Sequence, residues 1–432
     1  MRAATRRGAE VAAVGTRHGL ASLLDCLDLG VLAPRWHRSA AGRSGPVAVH
    51  LRRALEELGP TFMKLGQVLS TRPDLIPPRF EAELALLQDA GPVVPTPQIL
   101  AAVEDAFGAA ADQVLRRFDD VPIAAASIGQ VHAATLADGR EVVVKVRRPG
   151  VISDVSIDLD LLMGAAGVLA RSSLVASRYD PVGLAKEFSA TLRSELDYRR
   201  EGRNAERIAA SFANDDGVRI PEVIWELTCE SVITEERLRG IKVDDLRALD
   251  AAGLDRVQIA RRFANAYLSM VFVHRFFHAD PHPGNVFVEP AGRIGFVDFG
   301  MVGSIGNRTR HGLSTILLAL VAADAPRMAD GLLGLGVASD DVDRAAFERD
   351  LAHLLERYAR LPLEELRLRF LLADLMNTVR AHRLRLPSDL ALLLKTVMMC
   401  EGVAARLDPK FELVPMLVPY ASALVDRRDG AA

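Results

Sequence analysis

HADPHPGNVFVEPAGRIGFVDFG, residues 278–300, decides how the chain is read. It carries two aspartates, Asp280 and Asp298, and one asparagine, Asn285, among turn formers and strand formers. Pro281, Pro283 and Gly284 disfavour a helix and predict a stiff loop over 280–285. VFVE (286–289) and IGFV (294–297), joined by PAGR, predict a hairpin. Three oxygen-bearing side chains therefore stand on tight turns at either end of one hairpin. Of these, Asn285 and Asp298 suit a hard divalent cation.

The spacing from Asp280 to Asn285 is that of the kinase catalytic loop H-R-D-x-x-x-x-N, and Asp298 opens a DFG tripeptide. In that pattern Asp280 orients or deprotonates the acceptor, Asn285 binds a metal ion, and Asp298 bridges Mg²⁺ to the phosphates. DFG alone is common by chance. A spaced D…N loop, a hairpin and DFG in sequence are not.

Upstream, REVVVKV (140–146) reads as a strand with Lys145 as the phosphate-contacting cation. The chain has 53 Lys and Arg together but only six lysines, so each lysine carries some weight. AAASIGQVH (124–132) lies just before it, where a nucleotide loop normally carries glycines. Ala124, Ala125, Ala126 and Ser127 fill those places. Each Cβ limits how closely backbone approaches phosphate and removes the freedom of positive φ, which predicts an unusual nucleotide pose. A partner for Lys145 is expected in SELDYRREGRNAER (194–207), from Glu195, Asp197 or Glu201. On one continuous helix Asp197 and Glu201 share a face and Glu195 lies well round from both. The residues leave the choice open. ITEERLRG (233–240), which includes Glu235, fits an inter-lobe connector whose backbone would bond an adenine.

The order of elements predicts an α+β chain with a bilobal, protein-kinase-like fold. A helical extension is expected over 1–115. An N-lobe follows over 116–237, with VPIAA, IGQVHAATL and REVVVKV as strands around an ADGR turn and with an inserted helix near 152–172. PEVIWEL and ESVITEE add two further strands. A mostly helical C-lobe is expected over 238–432, its first long helix running from about 255 to Phe277.

Composition sets bounds. The 432 residues are 50% hydrophobic, enough for a large core, and the net charge of −3 provides no basic field for nucleic acid. GLSTILLALVAA (312–323) and LVPMLVPYASALV (413–425) are too short to span a bilayer. The N-terminal MRAATRRGAEVAAVGTRHGLASLL reads as a mildly amphipathic helix packed on the domain. Cys26, Cys229 and Cys400 show no metal spacing and read as buried thiols in a reducing compartment. The expected location is cytoplasmic, with peripheral contact at the inner face of a membrane as a further expectation.

Five segments in order resemble the UbiB-like atypical kinase family, also called AarF or ADCK. TFMKLGQVLSTRPDLIPPRFEAELALLQD (61–89) is similar to its KxGQ segment and AAASIGQVH to its Ala-rich loop. ELDYRREGRN is similar to its ExD segment, and HADPHPGN with DFG to its catalytic and metal loops. The resemblance implies ATP or ADP with Mg²⁺, and an N-terminal extension folded over the active site. It implies that Lys64 and Gln67 lie near the phosphates or the carboxylates of 195–201, and it carries an association with isoprenoid-quinone biosynthesis. Two departures from ordinary kinases stand out. The loop reads HAD rather than HRD, and no A-P-E follows DFG. The expected acceptor is therefore a small molecule, a lipid-like precursor or water. The alternatives are a protein Ser/Thr kinase and a nucleotide-gated binding module without catalysis. The C-terminal membrane-spanning helices of membrane-bound members have no counterpart before Ala432, which argues against integral attachment.

Overall fold

A computed structural model describes residues 2–19, 47–72, 75–87, 91–171, 180–336, 342–359, 367–382, 384, 386–417 and 419–420. The chain divides into two compact units. The first takes residues 1–71, 75–200 and 223–237, and the second takes 72–74, 201–222 and 238–432.

The first unit is built on an antiparallel sheet. β1 (Leu115–Phe118), β3 (Gly129–Leu136), β4 (Glu141–Arg147) and β6 (Val232–Glu236) lie in that order, and β2 (Ala124–Ala125) pairs with β3. The ADGR turn closes the β3–β4 hairpin. Gly139 adopts φ +91, open to glycine, and Asp138 Oδ1 accepts from the Arg140 N–H at 2.9 Å. Along β4 the two-residue period sends Val142, Val144 and Val146 into the core with Ile99 and Val103 of the Thr96–Phe107 helix. Lys145 is thereby turned to the opposite face. PEVIWEL does not form a strand: Val223 makes one bridge to Glu235, and Trp225–Leu227 is a 3₁₀ turn. Of VPIAA only Ala124 and Ala125 join the sheet.

The N-terminal helices belong to this unit. The Pro60–Ser70 helix lies between two apolar clusters, Leu65 touching both: one with Leu55, Leu58 and Leu84, the other with Val155, Leu159 and Leu192. Gly66 permits that packing, because a Cβ there would stand 2.3 Å from a Leu87 methyl and 2.8 Å from a Leu55 methyl. The Arg2–Arg17 helix packs on the unit as expected. Its Arg7 donates from Nε to Asp158 Oδ1 at 2.7 Å and from Nη2 to the Leu58 carbonyl. Asp158 is 2% exposed and sits on the inserted helix, Val151–Leu169.

In the second unit β5 (Val218–Arg219) runs parallel to β10 (Ile294–Phe296), which pairs with β9 (Val286–Val288), which pairs with β7 (Ile241–Lys242). β8 (Phe276–His278) pairs with β11 (Val302–Ser304). Asp255 caps the Arg256–Leu268 helix, accepting from the Val257 and Gln258 N–H groups. Its buried face sets Tyr267 edge-on to Phe296. That helix stops short of Phe277. A π-helical turn, Ser269–His274, widens its end, Arg275 at φ +56 terminates it, and Phe276 and Phe277 join β8. The remaining helices are Asn307–Val321, Ala325–Leu335, Arg344–Ala359, Leu368–Ala381 and Ser388–Leu407.

Among the described residues no helix is long and apolar enough to cross a membrane. The end of the 413–425 run lies outside them, as does Cys26. Cys400 is buried as expected. Cys229 is only partly buried; it follows a 3₁₀ turn.

Candidate active site

In the second unit, the 280–285 loop is closed on itself. Asn285 Nδ2 donates to Asp280 Oδ2 at 3.0 Å and to the Asp280 carbonyl at 3.3 Å. The Asn285 N–H bonds the His282 carbonyl within the short 3₁₀ turn Pro283–Asn285. His278 is fully buried and supports the loop from below. Its Nε2 donates to the Val297 carbonyl at 3.0 Å, which leaves Nδ1 to accept from the Asp280 N–H at 3.1 Å. The loop is also stitched to the DFG strand: Val297 N–H bonds Asn285 O, and Ala279 N–H bonds Met301 O. Tyr267 is buried against the same strand. Burial pushes its phenol well up, with Cys400 and Asp280 adding to the shift, so it stays neutral.

Asp298 adopts φ +64, the left-handed region, which aspartate tolerates better than most residues. Its Oδ1 accepts from the Gly300 N–H at 3.4 Å. The Tyr198–Ser211 helix reaches this segment with two side chains. A Cβ built on Gly300 would stand 3.3 Å from Asp298 Oδ1 and 4.0 Å from Glu201 Oε2, so both carboxylates flank one glycine. One turn on, Asn204 Nδ2 donates to the Phe299 carbonyl at 3.0 Å. After Gly300 the chain forms β11 and enters the next helix at Asn307. Only six residues, 301–306, stand where a peptide-docking segment would lie.

Asp298, the Asn285 side-chain oxygen and Glu201 are hard oxygen donors of the kind Mg²⁺ takes. Among the described residues no three His, Cys, Asp or Glu side chains form a cage.

In the first unit, Lys145 on β4 lies opposite Val131 and Ile233, with its ammonium 5.4 Å from the centre of the Tyr198 ring. Tyr198 is 1% exposed and packs against Gly129, where a Cβ would fall 2.0 Å from the phenol oxygen. The Ala-rich loop is tied down by its own unit. Ala126 N–H bonds Gly129 O, Ala125 O accepts from Gly91 N–H at 2.7 Å, and Ala126 O accepts from Arg148 Nε at 2.9 Å. Ala124 is exposed, Ala125 and Ala126 are half-buried, and Ser127 is buried. Lys64 Nζ lies 2.8 Å from Glu195 Oε2, with side chains 9% and 6% exposed. Gln67 donates to the Leu87 carbonyl at 3.3 Å.

The expectation of one continuous helix through 194–207 is corrected. One helix ends at Glu195 and the next begins at Tyr198. The shared-face argument for Asp197 and Glu201 lapses with it. Asp197 sits at the break, accepting from Arg199 N–H at 3.1 Å and from Arg199 Nε at 2.8 Å. Glu235 lies on β6 opposite Val143, and irregular chain begins at Arg237, within the 233–240 segment. His278, Tyr198 and Asn204 were not singled out by sequence reasoning. A glycine inside a strand, Gly129, and the three-residue spacing of Glu201 and Asn204 were the available signals.

The description of the ABC1 atypical kinase-like domain matches residues 86–332, and that of the UbiB helical domain matches 351–412. The chain belongs to the ABC1/UbiB atypical kinase-like family. It is 36% identical over 437 residues to the probable protein kinase UbiB of Xylella fastidiosa (strain 9a5c), covering 98% of this chain and 78% of that protein. It is 37% identical over 381 residues to the uncharacterized protein sll1770 of Synechocystis sp., covering 88% of this chain and 65% of that one. Its fold is similar to that of Rv3197 from Mycobacterium tuberculosis, solved in complex with erythromycin. The TM-score is 0.59 at 25% identity, over 86% of this chain and 94% of that one. The α+β, protein-kinase-like fold read from the motifs is therefore the fold of the family.

Proposed function

We propose that this protein is a Mg²⁺-dependent atypical kinase or ATPase that binds ATP or ADP and acts on a small-molecule or lipid-like acceptor in isoprenoid-quinone or lipid metabolism. The observation that carries the reading is the second unit's cluster: Asp280 held by Asn285, and Asp298 and Glu201 flanking Gly300. Asp280 accepts or orients the acceptor's proton. Asn285 and Asp298 hold Mg²⁺, which when bound neutralises charge on the phosphates. Lys145 contacts phosphate, and the Tyr198 ring beneath it limits where its ammonium can go. Lys64 and Glu195 brace the KxGQ helix. In the Ala-rich loop Ala126 N–H is already bonded to Gly129 O, so it offers phosphate one donor fewer than a free glycine loop. The short run from Met301 to Gly306 supports a small acceptor over a docked peptide.

The test is Mg²⁺-dependent nucleotide binding and ATP hydrolysis, with and without anionic liposomes, in wild type and Asp298→Asn. Hydrolysis that rises with lipid and disappears in the variant is expected. Asp280-dependent phosphate on a defined protein would replace this reading with a protein kinase, and metal-dependent binding without hydrolysis would replace it with a binding module.

A further inference from the structure

The DFG backbone has an uncommon shape and is bonded by a residue outside the catalytic loop. Asp298 sits at φ +64, and relaxing to the right-handed region would swing its carboxylate away from the Gly300 N–H it now accepts from. Phe299, the next residue, is fully buried and packs edge-on to His278, with ring centres 5.3 Å apart. Its carbonyl cannot turn to water, and a buried carbonyl needs a donor. Asn204 supplies one at 3.0 Å from the Tyr198–Ser211 helix, three residues after Glu201 and on the same face.

We infer that Asn204 is a positioning residue for the divalent metal: by bonding the Phe299 carbonyl it fixes the Phe299–Gly300 peptide and so the direction of the Asp298 carboxylate. This rests on the Mg²⁺–nucleotide reading above. The side chain suits the task. A neutral amide donates to the carbonyl without adding charge beside Glu201. Aspartate at 204 could not donate and would repel both the carbonyl and Glu201. Leucine would keep the volume and lose the bond.

The experiment uses the full chain with Mn²⁺ as the probe in the presence of ADP, its binding read by electron paramagnetic resonance. Hydrogen exchange of the 296–302 segment is measured separately without metal or nucleotide. Asn204→Leu should weaken Mn²⁺ binding about two- to tenfold, the equivalent of one neutral hydrogen bond, and should speed exchange in that segment. Asn204→Gln, which keeps a donor, should recover most of the affinity. Arg203→Ala, on the exposed side of the same helix, should match wild type. Unchanged Mn²⁺ affinity in Asn204→Leu overturns the inference. So does a stably folded Asn204→Gln that binds no better than Asn204→Leu. If wild type itself shows no ADP-dependent Mn²⁺ binding, the metal reading fails and the inference falls with it. Faster exchange in Asn204→Leu would then show a tether that serves the backbone alone.

Discussion

Replacing Lys64 by methionine keeps the helix and most of the side-chain volume but removes the cation from Glu195. Both side chains are less than a tenth exposed, so the carboxylate left behind has little access to water. Breaking a buried pair in this way costs about 3–5 kcal/mol. A unit of this size shifts its melting temperature by about 2–4 °C per kcal/mol, which gives an expected fall of about 6–20 °C in the transition of the first unit. The double variant Lys64→Met/Glu195→Leu removes both charges and should regain most of that loss, because an apolar pair of similar volume is often as stable as the ion pair it replaces. Calorimetry of wild type, both single variants and the double variant closes the cycle. Equal melting of Lys64→Met and wild type would refute the reasoning. So would a double variant that loses the sum of the two single losses, since the pair would then carry no coupling.

Gly129→Ala should destabilise the protein by about 1–3 kcal/mol, because the added methyl meets the buried Tyr198 hydroxyl. Tyr198→Phe in the same chain should restore part of the loss, which paired thermal melts would read. Burial pushes the Cys400 thiol well up, with Glu401 adding, so little reactive thiolate forms at neutral pH. A thiol-modifying reagent should therefore label Cys400 only on unfolding while the partly buried Cys229 reacts faster in the native protein, and peptide mass mapping would show which sites are modified.

Spacing carries chemistry that a single strand or loop can present, and those parts were legible. Asp280, Asn285 and Asp298 flank one hairpin, and the alternation along β4 turns Lys145 away from the valine core. The break between Glu195 and Tyr198 was not legible from charge spacing, since no proline or glycine marks it. It is made by Asp197 bonding the Arg199 N–H, as a helix-capping aspartate does, and by Tyr198 N–H bonding the Glu230 carbonyl 32 residues on. The first cause was open to inspection and the second is a tertiary contact. Resemblance put Lys64 and Gln67 near the phosphates or the 195–201 carboxylates; Lys64 lies 2.8 Å from Glu195, while Gln67 bonds the Leu87 carbonyl. PEVIWEL has strand composition, but its chain makes one bridge and then turns, because packing overrides local preference there.

The Arg7–Asp158 contact bears on where the gene can be cut for expression. The kinase-like domain match begins at residue 86, which makes that position an inviting start for a shortened protein. Such a fragment would discard Arg7 and Lys64 together. Asp158 would lose the Arg7 guanidinium and Glu195 the Lys64 ammonium. The apolar faces of Val155, Leu159 and Leu192 would also lose the helix that carries Leu65. The Arg2–Arg17 and Pro60–Ser70 helices thus belong with the folding unit they pack on.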